Sequence, residues 1–522
     1  MNAFFNTKNW LESERISTGL FIILLFSAVS LYYYTTTRGV GASPDSAVYI
    51  GVANNLLAGM GLQIPFGNDL NTPLTQYPPL YPALIALTGI FSTDYPQSIR
   101  FLNLLLLSAN LMVFWLFAKK ITSPNVSFAS LLIAPSSAAI GILTIHIMAW
   151  SEALFILLGF GGLYFFATTP VNRMDYRFWV GALLLGLSAL TRYAGIAFIF
   201  SAFVFMLLHP GINKIARRIQ LATGVAVIGL LLPLIWLIYN QISHENAINR
   251  SISFHPMQIN SAATAIQTVS GWIFLPDGWS VWLKGAILLV ALTIIAWATY
   301  RLIRRSQGES PRIALLLVVF LVVYVLFLVV SISWVDANTP LDNRILSPVF
   351  ISTLLLFGFV TNGFQRLLRH QLLPIASFAL LIYPIVSLSY NYSILENAHQ
   401  RGIGFFSTAW AQSEAIAWVK QKPARLMVFS NSPEAIYLNA GVSALPLPKK
   451  MELMKNQTNP DYAGQLIAIG ESVQSGESAI LFFNAVASRN LPSRYELISL
   501  SLTSNIVEFQ DGFLIPPGSI RK

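Results

Sequence analysis

"ISTGLFIILLFSAVSLYYY", residues 16–34, is nineteen residues without a charge, and "GASPDSAVYIGVANNLLAGMGL" (41–62), close behind it, carries a single acid, Asp45. A run of that length matches the roughly 20 apolar residues that a helix needs to cross a bilayer. It starts too far along and runs too long for the core of a cleaved leader, and it lacks an Ala-x-Ala-like site, so it is expected to be a retained span. The whole chain repeats the pattern: 55% of its 522 residues are hydrophobic and only 10% are charged. These values define a polytopic α-helical membrane protein. With no cysteine, the chain can form neither disulfides nor thiolate metal sites, and it has no thiol nucleophile.

Apolar length places about eleven spans, at 16–34, 99–118, 124–142, 150–169, 178–192, 194–209, 220–240, 281–300, 313–333, 345–362 and 374–392. The connections that carry Lys119 and Lys120, Arg173 and Arg177, Lys214, Arg217 and Arg218, Arg301, Arg304, Arg305 and Arg312, and Arg366 and Arg369 fall on one side, with Lys8 and Arg15 of the N-terminus. Positive residues near span ends resist translocation, so that side is expected to be cytoplasmic and the membrane to be the inner (plasma) membrane. Much of the net charge of +10 is then topology, and no nucleic-acid role is inferred from it.

An odd number of spans sends everything after residue 393 to the opposite face. The expected division is a transmembrane module over 1–392 and a small extracytoplasmic α/β domain over 393–522. In the latter, "RLMVFSN" (425–431), "SAILFFN" (478–484), "YELISLSL" and "NIVEFQ" read as strand-like, and "SPEAIYLNAG" (432–441) and "DYAGQLIAIGESVQSG" (461–476) as helix-like. No phosphate-cradling loop, catalytic triad or metal spacing stands out there, and its expected role is acceptor recognition or structural cover. On the same side lies the first outer loop, 36–98, with a helical stretch after Pro44 and another in "PPLYPALIALTGIF" (78–91), both read as interfacial helices. The connection 241–280 and "SWVDANTPLDNR" (333–344) converge on that face as well. Irregular backbone at membrane depth is tolerated where it lines a cavity or is buried in protein, so a site is expected there.

Taken alone, Pro44-Asp45-Ser46 before an apolar-periodic run is a fair helix-cap signal. Its neighbours carry more. An Asp shortly after the first span, a helix ending in "LLAGMGL", "YPPLYPALIAL" (77–87) before a span that opens with Arg100, then "MAWSEALF" (148–155), "LTRYAG" (190–195) and "DANTPLDNRILSP" (336–348) together resemble the C-type (GT-C) glycosyltransferases. The bacterial homologues of protein O-mannosyltransferases and the lipid A aminoarabinose transferases are nearest in pattern. The resemblance covers most of residues 10–360 and implies an integral-membrane enzyme that moves a sugar from a polyprenyl-phosphate donor to an acceptor hydroxyl, with inversion, on the non-cytoplasmic face.

On that resemblance Asp45 holds the place of the catalytic base, since a positioned carboxylate within hydrogen-bond reach can take or orient the acceptor's proton. Phosphate is a good leaving group, so what helps is a cluster of donors for its developing charge. Arg192, Arg344, Arg100 and Arg250 are the candidates, with Arg192 and Arg344 ranked first; each alone could equally be a residue that snorkels to the interface. Where the relatives carry "EKPP", this chain has "QYPP", with Gln76 and Tyr77 in place of an acid and a lysine. Tyr77 can still hydrogen-bond a phosphate.

Glu152 either lines the site or caps its helix, and Asp336 and Asp342 either line it or form turns. His146 and His255 fall on the same side as Asp45 and Asp336, which admits a divalent cation, but their spacing matches no metal motif and none is assigned. Trp272, Trp279 and Trp282 suit an interfacial belt or a sugar face. Expected partners are the polyprenyl-phosphate sugar, membrane lipids, and an acceptor that could be lipid, polysaccharide or protein. The alternatives are an O-antigen ligase- or polymerase-like enzyme, which would place its essential charges in a late large loop, and a lipid-linked sugar transporter, which would show repeats or charged midplane spans.

Overall fold

The computed structural model describes residues 13–67, 72–168, 174–250, 252–365, 372–500 and 506–518. Lys8, Arg173, Arg366 and Arg369 of the charge pattern, and parts of the two late strand-like runs, lie outside them. Among the described residues, seven helices are long and apolar enough to cross a bilayer: α1 (Glu14–Thr35), α4 (Tyr95–Thr122), α10 (Ile215–His244), α12 (Val281–Arg305), α13 (Glu309–Trp334), α14 (Asn343–Phe364) and α15 (Leu372–Tyr390). An eighth crossing forms if α5 (Val126–Ala138) and α6 (Ile140–Ile147), bent by 60° at Ala139, are one broken span. Three expected spans coincide with shorter apolar helices, α7 (Glu152–Thr168), α8 (Tyr176–Thr191) and α9 (Gly195–Leu208). At about 1.5 Å per residue, the 17 residues of α7 reach only about 25 Å, which is why length and composition alone do not count it.

An aromatic hub holds these helices together. The Phe160 ring of α7 lies 5.7 Å from Phe114 and 6.3 Å from Phe117 on α4, 5.5 Å from Phe198 on α9 and 5.5 Å from Phe320 on α13, all edge to face. That geometry favours aromatic pairs beyond the area they bury. The two helices of the loop between α1 and α4, α2 (Pro44–Leu57) and α3 (Leu80–Gly89), pack on each other through Tyr49 and Tyr81, with centroids 5.2 Å apart, and cover one end of the bundle. A further helix, α11 (Ile259–Trp272), lies between α10 and α12. At the opposite end Lys119 pairs with Glu14 at 2.5 Å and Lys120 with Glu309 at 3.0 Å.

The chain after α16 (Tyr392–Arg401) builds a five-stranded sheet from β3 (Met427–Ser430), β4 (Leu445–Pro446), β5 (Ser478–Phe483), β6 (Val507–Phe509) and β7 (Gly512–Ile515), in the order β4-β3-β5-β7-β6; β1 (Gln63–Ile64) and β2 (Thr72–Pro73) form a small antiparallel pair between α2 and α3. The strands β4, β3 and β5 run parallel, and β7 and β6 complete the sheet antiparallel. Every residue of β5 is buried, as a central strand covered on both faces requires. Ala479, Leu481 and Phe483 face α17 (Glu414–Gln421), and Ile480 and Phe482 face α19 (Tyr462–Gln474). The expected strand in "YELISLSL" is instead a helix, α20 (Arg494–Ser499), started by a capping box between Ser493 and Glu496 that the alternation of apolar residues hides.

Residues 40–42 join the parts. On one side Gly41 N–H donates to Ile147 O and Ala149 N–H to Gly41 O, both at 2.8 Å; on the other, Phe405 N–H donates to Ala42 O at 2.8 Å. Gly404 is required for this approach, because it has φ +60° and a Cβ there would meet Ala42 O at 2.0 Å.

Candidate active site

Asp45 is the second residue of α2. The turn before it is capped by others: Ser43 is the N-cap, and the Ser46 hydroxyl accepts from the Ser43 backbone N–H at 3.0 Å. The Asp45 carboxylate is therefore not consumed by capping. Its Oδ1 accepts from the Tyr77 hydroxyl at 2.7 Å, and its Oδ2 stands 2.6 Å from Arg344 Nη2 in an ion pair.

Arg344 reaches that position because Asp342 caps α14, accepting from the backbone N–H groups of Arg344 at 3.0 Å and Ile345 at 3.1 Å. The role of Asp342 is thus a cap and not a wall of the site, as a carboxylate before a helix favours. The guanidinium lies 4.4 Å above the Trp150 ring and bonds Glu152 Oε1 through Nε. Arg192, in the tight turn between α8 and α9, bonds the same Glu152 oxygen and also Ser151 Oγ at 3.3 Å. That turn needs Gly195, whose Cβ would fall 2.3 Å from Ala189 N.

Glu152 is 2% exposed, so the two guanidiniums compensate a carboxylate that would be prohibitive to bury alone. Among the described residues nothing bonds its Oε2. Tyr49, one turn beyond Asp45, closes the group with its hydroxyl 3.3 Å from Ser151 Oγ and its ring 5.3 Å from Tyr77.

Burial alone would raise the Asp45 carboxyl, but the Arg344 charge, the Tyr77 hydrogen bond and the more distant Arg192 outweigh it and hold the group below the usual carboxylate range. Asp45 is ionised at neutral pH. Burial, reinforced by the Asp45 charge, pushes the Tyr77 phenol well above its ordinary value, so Tyr77 stays a donor. The arrangement offers an ionised carboxylate paired with Arg344, with Arg192 held close by through the shared Glu152, among the rings of Tyr49, Tyr77 and Trp150. Beside it, a cavity of about 160 Å³ lined by Gly141, Thr268, Trp272, Asn343 and Ser347 opens at the first turns of α14.

Of the residues singled out in the sequence, Asp45, Tyr77, Glu152, Arg192 and Arg344 converge here. Gln76 is half-buried next to Tyr77. Arg100 is used elsewhere, donating to Thr36 Oγ1 at 3.0 Å and Tyr33 O at 3.2 Å and stacking on Tyr33, which ties α4 to the end of α1. Arg250 and Asp336 pair with each other at 3.1 Å. His146 is buried against Ile142 O at 2.7 Å and the Asn110 amide at 3.1 Å, and His255 is held by a backbone bond to Ser333 at 2.9 Å. Neither histidine joins the cluster, and among the described residues no three His, Asp or Glu side chains are grouped to hold a metal. Tyr49, Trp150 and Ser151 were not singled out by sequence; Trp150 and Ser151 directly precede Glu152 in "MAWSEALF", and Tyr49 follows Asp45 at the i+4 spacing that shares a helix face.

Residues 76–239 match the family described as dolichyl-phosphate-mannose-protein mannosyltransferase, a stretch that holds Tyr77, Glu152 and Arg192 and leaves Asp45 and Arg344 outside. The fold is similar to that of ArnT from Cupriavidus metallidurans bound to undecaprenyl phosphate, with a TM-score of 0.63 and 13% identity over 96% of this chain and 99% of that one. It is also similar to the archaeal oligosaccharyltransferase AglB from Archaeoglobus fulgidus in complex with an inhibitory peptide and a dolichol-phosphate (TM-score 0.55, 12% identity, 91% of this chain and 70% of that one). Arabinofuranosyltransferase AftD from Mycobacteria matches at TM-score 0.54 and 14% identity over 96% of this chain, which spans 40% of AftD's length. No curated protein sequence matches. The resemblance to C-type glycosyltransferases holds in fold over nearly the whole chain and in sequence over the matched stretch. The proteins it resembles are transferases, and this chain is a multi-pass membrane protein built like them.

Proposed function

We propose that this protein is an integral-membrane glycosyltransferase that moves a sugar from a polyprenyl-phosphate donor to an acceptor hydroxyl on the non-cytoplasmic face. The observation that carries the reading is Asp45, held between the Tyr77 hydroxyl and Arg344 while Arg344 and Arg192 share the buried Glu152. The acceptor oxygen attacks the anomeric carbon and gives its proton to Asp45 Oδ, and the bond from that carbon to the phosphate oxygen breaks. The polyprenyl phosphate leaves with the bonding pair, and the configuration inverts. An ionised carboxylate has lone pairs beyond those used by Tyr77 and Arg344, so the acceptor can bond it without displacing either. The free N–H groups of Arg192 and Arg344 meet the charge that grows on the phosphate.

The finer topology belongs to this reading. Eleven crossings result if the broken α5–α6 pair and the short helices α7, α8 and α9 each traverse a locally thinned bilayer. The basic end of the bundle, with Lys119 and Lys120, is then cytoplasmic together with the N-terminus, and the inner (plasma) membrane holds the chain. Residues 1–392 form the transmembrane module, and 393–522 an extracytoplasmic α/β domain.

The test is transfer of radiolabelled sugar from a panel of undecaprenyl-phosphate sugars by purified protein in nanodiscs, native against Asp45→Asn, each with and without chelator. Turnover of one donor that is lost in the variant supports the reading. Equal turnover in the variant at equal protein level removes Asp45 as the base. If no donor is turned over and undecaprenyl phosphate leaves thermal stability unchanged, the reading falls.

A further inference from the structure

Two helices of this chain start alike: "SPDSAVY" at Ser43 and "SPEAIY" at Ser432. In both, serine is the N-cap, proline the first helical residue and an acid the second, Asp45 in α2 and Glu434 in α18 (Pro433–Ala440). The fold brings the two starts together. Fully buried Ala435 packs with Ala42 and Phe405, and Leu438 packs on the cluster that holds Tyr49 and Tyr81. The Asn54 amide of α2 donates to the Tyr437 hydroxyl at 3.0 Å, and Ser443 Oγ donates to Pro65 O at 2.6 Å. The helix α18 is thus fixed against α2 and the segment that leads into it, with Ala435, next to Glu434, packed on Ala42, three residues before Asp45. Glu434 itself stays partly exposed.

Resting on the function proposed above, we propose that Glu434 is the acceptor-facing carboxylate of the site, a specificity-determining residue that hydrogen-bonds a neutral, hydroxyl-bearing acceptor beside Asp45 and excludes acceptors that carry negative charge there. The charge order supports this. Asp45 pairs with Arg344, which shares Glu152 with Arg192, so the donor's phosphate belongs with the guanidiniums, while the helix start that carries Glu434 packs on the chain leading to Asp45. A second carboxylate near Asp45 repels anions and accepts from hydroxyls. Burial pushes the Glu434 carboxyl up and the Asp45 charge adds to that push, against its own backbone N–H and Lys449, which places Glu434 in the field of Asp45.

The experiment uses native full-length protein in nanodiscs with the undecaprenyl-phosphate sugar it turns over. Octyl glucoside and octyl glucuronide, one neutral and one anionic on the same ring and tail, are offered as acceptors and read as transfer or as competition against donor hydrolysis. The native protein is expected to prefer the glucoside. Glu434→Gln should lower kcat/KM for it roughly tenfold or more, chiefly through KM, as loss of a bond to a charged group does. Glu434→Lys should turn the preference toward the glucuronide, and Glu434→Asp should retain the native order. Undecaprenyl phosphate should raise the thermal midpoint of all four proteins equally, a readout that separates specificity from misfolding. An unchanged glucoside-to-glucuronide ratio in both the Gln and Lys variants overturns the inference, as does loss of the undecaprenyl phosphate response together with transfer. A native protein that turns over no donor overturns the proposed function and this inference with it, whereas an active native protein with indifferent variants overturns the inference alone.

Discussion

Two Arg–carboxylate groupings sit at the same end of the bundle and behave differently. Arg250 and Asp336 form a one-to-one pair at 3.1 Å, and Asp336 also accepts from the Asn338 backbone N–H at 3.0 Å, so the pair fastens one loop to another. Around Asp45, two acids and two arginines share partners, Glu152 bonding both guanidiniums and Arg344 reaching both acids. Both groupings keep an unbonded buried atom, Arg250 Nε in the first and Glu152 Oε2 in the second. Equal charges in sequence thus give a one-to-one clasp in one place and a shared cluster in the other, and the shared one has more donors and acceptors to offer a substrate.

The strongest way to break this contrast is at Asp45. Asp45→Asn should lower transfer by about 10²–10⁴-fold, the range expected for losing a positioned base, with little change in undecaprenyl phosphate binding. Next comes Arg344→Ala, which strips a partner from the buried Glu152 and should destabilise the protein by about 3–5 kcal/mol while abolishing the thermal response to undecaprenyl phosphate. Restoring both in Arg344→Ala/Glu152→Gln would show that the arginine only neutralised Glu152; restored stability with no phosphate response is the expected result. Arg250→Ala should change transfer no more than about twofold, since a partly exposed one-to-one pair away from Asp45 is worth about 1 kcal/mol or less. A loss of transfer comparable to that of Arg344→Ala would erase the distinction.

The smallest effect is a control in the sheet-forming region, where Lys450 pairs with Glu496 at 2.8 Å. The hydrogen bonds from Lys450 and Ser493 hold Glu496 at about 2, below its ordinary value. A depressed carboxyl stabilises the fold above its unfolded value and ceases to as pH falls through the folded one. The midpoint difference between native and Glu496→Gln should therefore be full at neutral pH and vanish as pH falls from the ordinary carboxylate range toward 2. A difference that persists there would assign it to packing.

Much of this was legible in the sequence because apolar length and an isolated acid are one-dimensional signals. The long helices fell where apolar length placed them, and the acid after the first span comes together with residues of "MAWSEALF" and "LTRYAG", stretches that the family resemblance had marked. What escaped depends on partners distant in the chain. Nothing local tells that Asp342 caps while Asp45, equally close to a helix start, does not; the difference is that Ser43 and Ser46 cap α2 between themselves. Nor does charge alone tell that Arg100 turns toward Tyr33 and Thr36 while Arg344 turns toward Glu152. His146 was a candidate because it falls on the same side as Asp45 and Asp336, and Asn110, which bonds it, lies 36 residues away. The helix in "YELISLSL" is the exception, since its capping pair, Ser493 and Glu496, is local and was masked by the alternation of apolar residues.

Residues 40–42 are bonded through the main chain to the helical bundle on one side and to the chain that leads into the sheet on the other. Ala42 lies three positions before Asp45, so the seam works as a tether and not as a hinge. The sheet is thus tied through the main chain to the segment that leads into the Asp45 helix, alongside the side-chain bonds Asn54–Tyr437 and Ser443–Pro65. On the function proposed, an acceptor docked against the sheet-bearing part would bear on the placement of Asp45 through that same segment.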